Sequence, residues 1–117
     1  MKKVIRIYLY TDDLKIIDAV FAYTLTRNIR ESGGVELFRK RENDDLNSIF
    51  LYDLVIMDHT VSDYQLTKIG KRKSLPCIFR VIRSSEDIKN SSDKAQNLEF
   101  GMLKNSLHLF ERFGKGA

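Results

Sequence analysis

Apolar residues along this chain fall into two alternating kinds of spacing. Lys3 to Tyr10 carries Val4, Ile5, Ile7 and Leu9, apolar on both faces except at Arg6, and stops at Thr11-Asp12-Asp13. That pattern predicts a strand with an acidic end. From Leu14 the spacing turns helical. Leu14, Ile17, Phe21, Leu25 and Ile29 recur along one stripe, widened by Ile16 and Val20, until Ser32-Gly33-Gly34 supplies a stop. Val35-Glu36-Leu37-Phe38 reads as a short strand, and a brief helix follows around Leu46 to Leu51. Asp53-Leu54-Val55-Ile56-Met57-Asp58 is a continuous apolar run bracketed by aspartates, the pattern of a strand buried on both faces of a parallel sheet. Ser62 and Asp63 cap a predicted helix carrying Tyr64, Leu66 and Ile69. Pro76 then opens the run Cys77-Ile78-Phe79-Arg80-Val81-Ile82. Further on, Asp93 with Gln96 resembles a capping box. It precedes a final amphipathic helix marked by Leu98, Met102, Leu109 and Phe113 and flanked by Leu103, Leu107 and Phe110.

Strands and helices that alternate in this way favour an α/β fold, a three-layer α/β/α open parallel sheet of four or five strands, because right-handed crossovers place helices on both faces. A length of 117 residues suits one such domain, residues 1–117, with 113–117 as a frayed tail. Hydrophobic residues at 43% and charged residues at 31% exclude the composition of a disordered chain.

The net charge of +4 comes largely from Arg39-Lys40-Arg41 and Lys71-Arg72-Lys73. Without interleaved aromatics or a recognition-helix pattern, these runs read as solvated surface more readily than as a nucleic-acid footprint. The lone cysteine, Cys77, has no partner for an internal disulfide and lies in an apolar run, which suits a reducing, cytoplasmic setting. No stretch is long enough to span a membrane, and Arg6 interrupts the only apolar segment near the amino terminus.

Ligands of open parallel sheets bind beyond the carboxyl ends of the strands, where the pattern puts Asp12, Asp13 and Asp58. Three carboxylates brought together repel one another unless they share a cation. An all-oxygen set suits Mg²⁺, whose shell is often completed by waters and a phosphate. Each residue also has an ordinary role. Asp12 and Asp13 can cap the helix at Leu14, and Asp58 can make a strand-end turn.

Tyr10-Thr11-Asp12-Asp13 resembles the acidic pair that closes the first strand of response-regulator receiver domains. Tyr52 to Asp58 resembles that family's third strand with its phosphoacceptor. The resemblance runs from about Lys3 to Arg83, and the last helix, Gln96 to Phe113, resembles the family's closing helix. It implies a receiver-like, flavodoxin-like fold and a signalling module of two-component systems that is an acceptor and not a turnover enzyme. Asp58 would take a phosphoryl group from a histidine kinase or small donor, Asp12 and Asp13 would hold Mg²⁺ with it, and the output would pass to a downstream effector or through a homodimer.

The departures from the family pattern lie toward the carboxyl terminus. The loop after Asp58 reads His59-Thr60-Val61-Ser62-Asp63-Tyr64. Where the family's fourth strand ends in Thr or Ser the aligned residue is Val81, leaving Ser84 or Ser85 as substitutes for phosphate binding. Too few residues follow Ser85 for both a helix and a fifth strand, so a fifth strand would be short and polar, around Ile88, or missing. Lys94 is spaced from the last helix roughly as the family's phosphate-binding lysine is, with Lys89 a weaker candidate, although a surface lysine and a helix-start serine are the simpler readings of Lys94 and Ser84. These departures support an alternative, a pseudo-receiver that is not phosphorylated and serves as a constitutive docking or dimerisation module. A phosphate-handling enzyme or nucleotide-binding domain is disfavoured, because no phosphate-cradling glycine loop follows the first strand.

Overall fold

The computed structural model describes residues 4–30, 34–71, 73–83 and 94–113. Its strands are β1 (Ile5–Tyr10), β2 (Val35–Arg39), β3 (Leu54–Asp58), β4 (Cys77–Val81) and β5 (Gln96–Leu98). Its helices are α1 (Leu14–Arg30), α2 (Asp63–Gly70) and α3 (Leu103–Phe113), with 3-10 turns at Leu46–Leu51 and Phe100–Met102. All five strands are parallel, in the order β2-β1-β3-β4-β5. This is a doubly wound order, in which the chain crosses first to one side of β1 and then to the other.

β3 lies at the centre, and every one of its residues is buried, as a two-sided apolar run requires. Leu54 and Ile56 face one core with Ile7, Leu9, Ile16, Val20, Phe79 and Leu107. Val55 and Met57 face a second core with Tyr8, Ile49, Val61, Leu66 and Ile78. The alternation of side chains along a strand thus divides the interior into two cores, one under α1 and α3 and the other under α2 and the Leu46–Leu51 turn. The sheet is the middle of three layers.

The local signals act at identifiable places. Ser62 forms a full capping box with Gln65 at the start of α2. Asp45 caps the Leu46–Leu51 turn by accepting from the Asn47 N–H at 2.9 Å. Gly34 sits at φ 65°, a left-handed conformation that favours glycine, and its carbonyl accepts from the Ile5 N–H at 3.3 Å. That bond starts the β1–β2 pairing.

Three expectations need correction. A short polar fifth strand lies at Gln96–Leu98, within the segment expected to open the final helix, and that helix begins at Leu103. Leu98 therefore packs in the core as a strand residue paired with Val81. The buried stripe of α1 is Ile16, Ile17, Val20 and Tyr23, while Leu14, Phe21 and Leu25 are exposed. In α3 the flanking residues Leu103, Leu107 and Phe110 form the core, and Leu109 is exposed. Helical spacing identified these helices but not which edge of a broad apolar stripe would face the sheet. The capping pair proposed at Asp93, the Ile88 and Lys89 positions and the tail at 114–117 lie outside the described residues. No helix among the described residues is long and apolar enough to cross a membrane.

Candidate functional site

The carboxyl ends of β1 and β3 meet at Asp58. Tyr10 pairs with Met57, so one step further along both strands Thr11 stands beside Asp58. Both are buried, at 5% and 7% exposure. The Thr11 hydroxyl donates to Asp58 Oδ2. Thr60 serves the other oxygen, with its N–H donating to Oδ1 at 2.9 Å and its hydroxyl at 2.5 Å. On the other side of β3, Asp58 pairs with Val81.

Burial alone pushes the Asp58 carboxyl up. The hydrogen bonds from the Thr11 hydroxyl and from the Thr60 side chain and N–H, together with the nearby His59, outweigh it and hold the carboxyl below its ordinary value. Asp58 is therefore an ionised strand-end carboxylate with both oxygens engaged.

The neighbouring acids do different work. Asp13 Oδ1 accepts from the Lys15 N–H at 3.0 Å, the bond expected of a residue capping α1. The Asp13 N–H donates to the Thr11 hydroxyl oxygen at 3.0 Å, so Thr11 links the helix start to Asp58. Asp12 is exposed. Among the described residues, no three His, Cys, Asp or Glu side chains are arranged to hold a metal ion, Asp12, Asp13 and Asp58 included.

Of the phosphate-binding candidates, Lys94 precedes β5 and so lies toward the amino end of a strand whose first residue, Gln96, pairs with Phe79. Asp58 lies at the opposite, carboxyl end of the sheet. Ser84 and Ser85 lie outside the described residues. The sequence pattern thus brings Asp58 to the sheet edge, but the side chain placed against it is Thr11.

The loop after Asp58 is held by a residue that the apolar pattern of β4 concealed. Arg80 is 6% exposed. Its Nε donates to Asn97 Oδ1 at 2.8 Å, one terminal nitrogen donates to the Val61 carbonyl at 3.0 Å, and the other meets Asp63 Oδ1 at 2.7 Å. One guanidinium fork therefore joins β4, β5, the β3–α2 loop and the first turn of α2, which suits its planar donor geometry. The signal was a single charge within an apolar run, and its partners are distant in sequence.

Aromatic and cationic side chains gather around the β1–β2 edge. Tyr8 stacks on Tyr52 with ring centroids 4.4 Å apart and donates to Asp44 Oδ2 at 2.8 Å. Burial first, then the Asp44 bond and charge, push the Tyr8 phenol well up. The Arg6 guanidinium lies 5.0 Å from the Phe38 ring centroid and 5.2 Å from that of Tyr52.

Site and fold together define an open parallel α/β domain with an ionised aspartate tied between two strand ends. Comparison with known proteins finds no matching family model, no matching curated protein and no matching solved structure.

Proposed function

We propose that this chain is a receiver-like protein-interaction module in which Asp58 ties strand ends together and does not accept a phosphoryl group. It acts as a cytoplasmic docking or dimerisation domain and not as an enzyme. The observation that carries this reading is that Thr11 and Thr60 engage both oxygens of the Asp58 carboxylate. A carboxylate offers about four lone-pair sites, so three donors leave little capacity for a metal or for in-line attack.

The donor set also fits magnesium poorly. The ion prefers octahedral oxygen ligation through one or two carboxylates, whereas Asp58 is engaged by hydroxyls and Asp13 by a helix amide. The side chain of Val81, which pairs with Asp58, carries no polar atom for a phosphoryl oxygen.

The second reading, an active receiver phosphorylated at Asp58 by a histidine kinase, is favoured by one feature. Asp58 is held in its charged, nucleophilic form at the end of the central strand. The test is incubation with Mg²⁺ and acetyl phosphate, followed by intact mass measurement of wild type and Asp58→Asn. The proposal expects no added mass in either. One phosphoryl group on wild type, absent from Asp58→Asn, would replace it with the active receiver.

A further inference from the structure

The sheet ends on one side at β2, which pairs only with β1 among the described strands. The Lys40 N–H donates to the Leu9 carbonyl at 2.9 Å. Alternate residues in a parallel ladder turn their backbone groups the same way, so Glu36, Phe38 and Lys40 bond inward to β1. Leu37 and Arg39 turn theirs outward. A groove of about 640 Å³ runs along this edge, lined by Leu37, Phe38, Arg39, Arg41, Leu51 and Tyr52 among others.

Edge strands are commonly protected from pairing by proline, bulges or inward charges. Val35–Arg39 contains no proline and pairs in unbroken register with β1. Its charges follow a pattern instead. Glu36, Phe38 and Lys40 share one face, with the acid two residues before the aromatic and the base two residues after it.

Turned about a two-fold axis at Phe38, an antiparallel copy sets Glu36 opposite the partner's Lys40 and Phe38 opposite the partner's Phe38. The same register sets Leu37 opposite the partner's Arg39. These are the residues whose backbone groups point outward, so they can exchange hydrogen bonds as a closely spaced pair. Sliding the copy two residues either way loses both opposite-charge pairs. Backbone donors, charges and aromatics are therefore self-complementary in one register, as an isologous interface requires.

We infer that β2 is a dimerisation edge, joining two copies of this chain through antiparallel β2 pairing into one continuous sheet. The inference rests on the reading of the chain as an interaction module and is independent of chemistry at Asp58. A five-residue strand forms a small interface, so association is of the weak, reversible kind.

Sedimentation velocity over about 5 to 500 µM covers that affinity range. The expected result is a shift from one chain to two. Glu36→Lys and Lys40→Glu, each confirmed folded by circular dichroism, should each weaken association at least about tenfold. An equimolar mixture of the two should restore it, because opposite charges then face each other again. Arg39→Pro, which removes an outward N–H, should abolish it. A single species at every concentration would overturn the inference, as would association unaffected by the charge changes or a mixture that stays dissociated. If dimerisation fails and no phosphoryl group is added in the mass experiment, the interaction-module reading stands without this interface. Phosphoryl addition would overturn that reading and leave the dimer result unaffected.

Discussion

The Thr11 hydroxyl donates to the Asp58 carboxylate across the carboxyl ends of β1 and β3, two residues 47 positions apart in the chain. Thr11 also accepts from the Asp13 N–H, so one small side chain connects the start of α1 to the central strand. Thr11→Val keeps the shape and removes the donor. The expected cost is about 1.5 kcal/mol, the lower end for a hydrogen bond to a charged group near the sheet edge. Urea unfolding measures it, and the Asp58 carboxyl resonance should titrate at higher pH than in wild type. An unchanged midpoint and an unchanged titration would remove Thr11 from the tie.

Acid sensitivity follows from the sign of the Asp58 shift. Its folded pKa lies below the ordinary 3.8, so the unfolded chain takes up the proton first as pH falls. The stabilisation is present above the ordinary carboxylate range and is lost as pH drops through the lowered value. Thermal melts of wild type and Asp58→Asn should differ by a constant amount from about pH 7 to 5 and converge below about pH 4. A difference that persists at the acid end would assign the effect to something other than this carboxylate.

At the alkaline end the controlling group is Tyr8. Burial and Asp44 raise its pKa from the ordinary 10.0, so the unfolded chain loses the phenolic proton first. Its contribution is whole below about pH 10 and declines above it. Ultraviolet titration should show Tyr8 ionising only as the protein unfolds. Tyr8→Phe should lose less stability than wild type above about pH 10.

Arg80 reaches Asp63, Asn97 and the Val61 carbonyl from inside the second core. Arg80→Met removes all three bonds and leaves Asp63 without this cation, with an expected loss of about 3 kcal/mol. Arg80→Lys should recover only part of it, because an ammonium cannot reproduce the fork. Hydrogen exchange of α2 amides offers a second readout, and protection there should fall before protection in β1.

Gly34 occupies a left-handed conformation at φ 65°. Gly34→Ala should cost about 1 kcal/mol through backbone strain alone. A stable Gly34→Ala protein would mean that the turn relaxes without disturbing the Ile5 pairing.

How far these features were legible from residues alone depends on the range of the interaction behind each. β3 was plain because a run from Leu54 to Met57, apolar at successive positions, needs cover on both faces of the sheet. The cap at Ser62 and the stop at Gly34 act within a few residues, and their chemistry appears in the spacing, whereas Asp63, read as a second cap, is the first residue of α2 and pairs with Arg80. β5 was misread because Gln96-Asn97-Leu98 has little strand character of its own. It becomes a strand by pairing with Phe79, Arg80 and Val81, and tertiary pairing outweighs a weak local preference.

The candidate site divides in the same way. Residue order alone determined that this protein is an α/β chain with Asp58 closing a strand buried on both faces, because hydrophobic periodicity is a local consequence of helix and strand geometry. Only the tertiary structure decided which side chain Asp58 meets. Register between β1 and β3 is set by how two strands settle together over the cores, and a shift of one residue exchanges Thr11 for Asp12 at that point. The same long-range packing gave Arg80 its partners and made β2 the terminal strand of the sheet among the described residues, since residues distant in sequence acquire their neighbours only when the sheet closes.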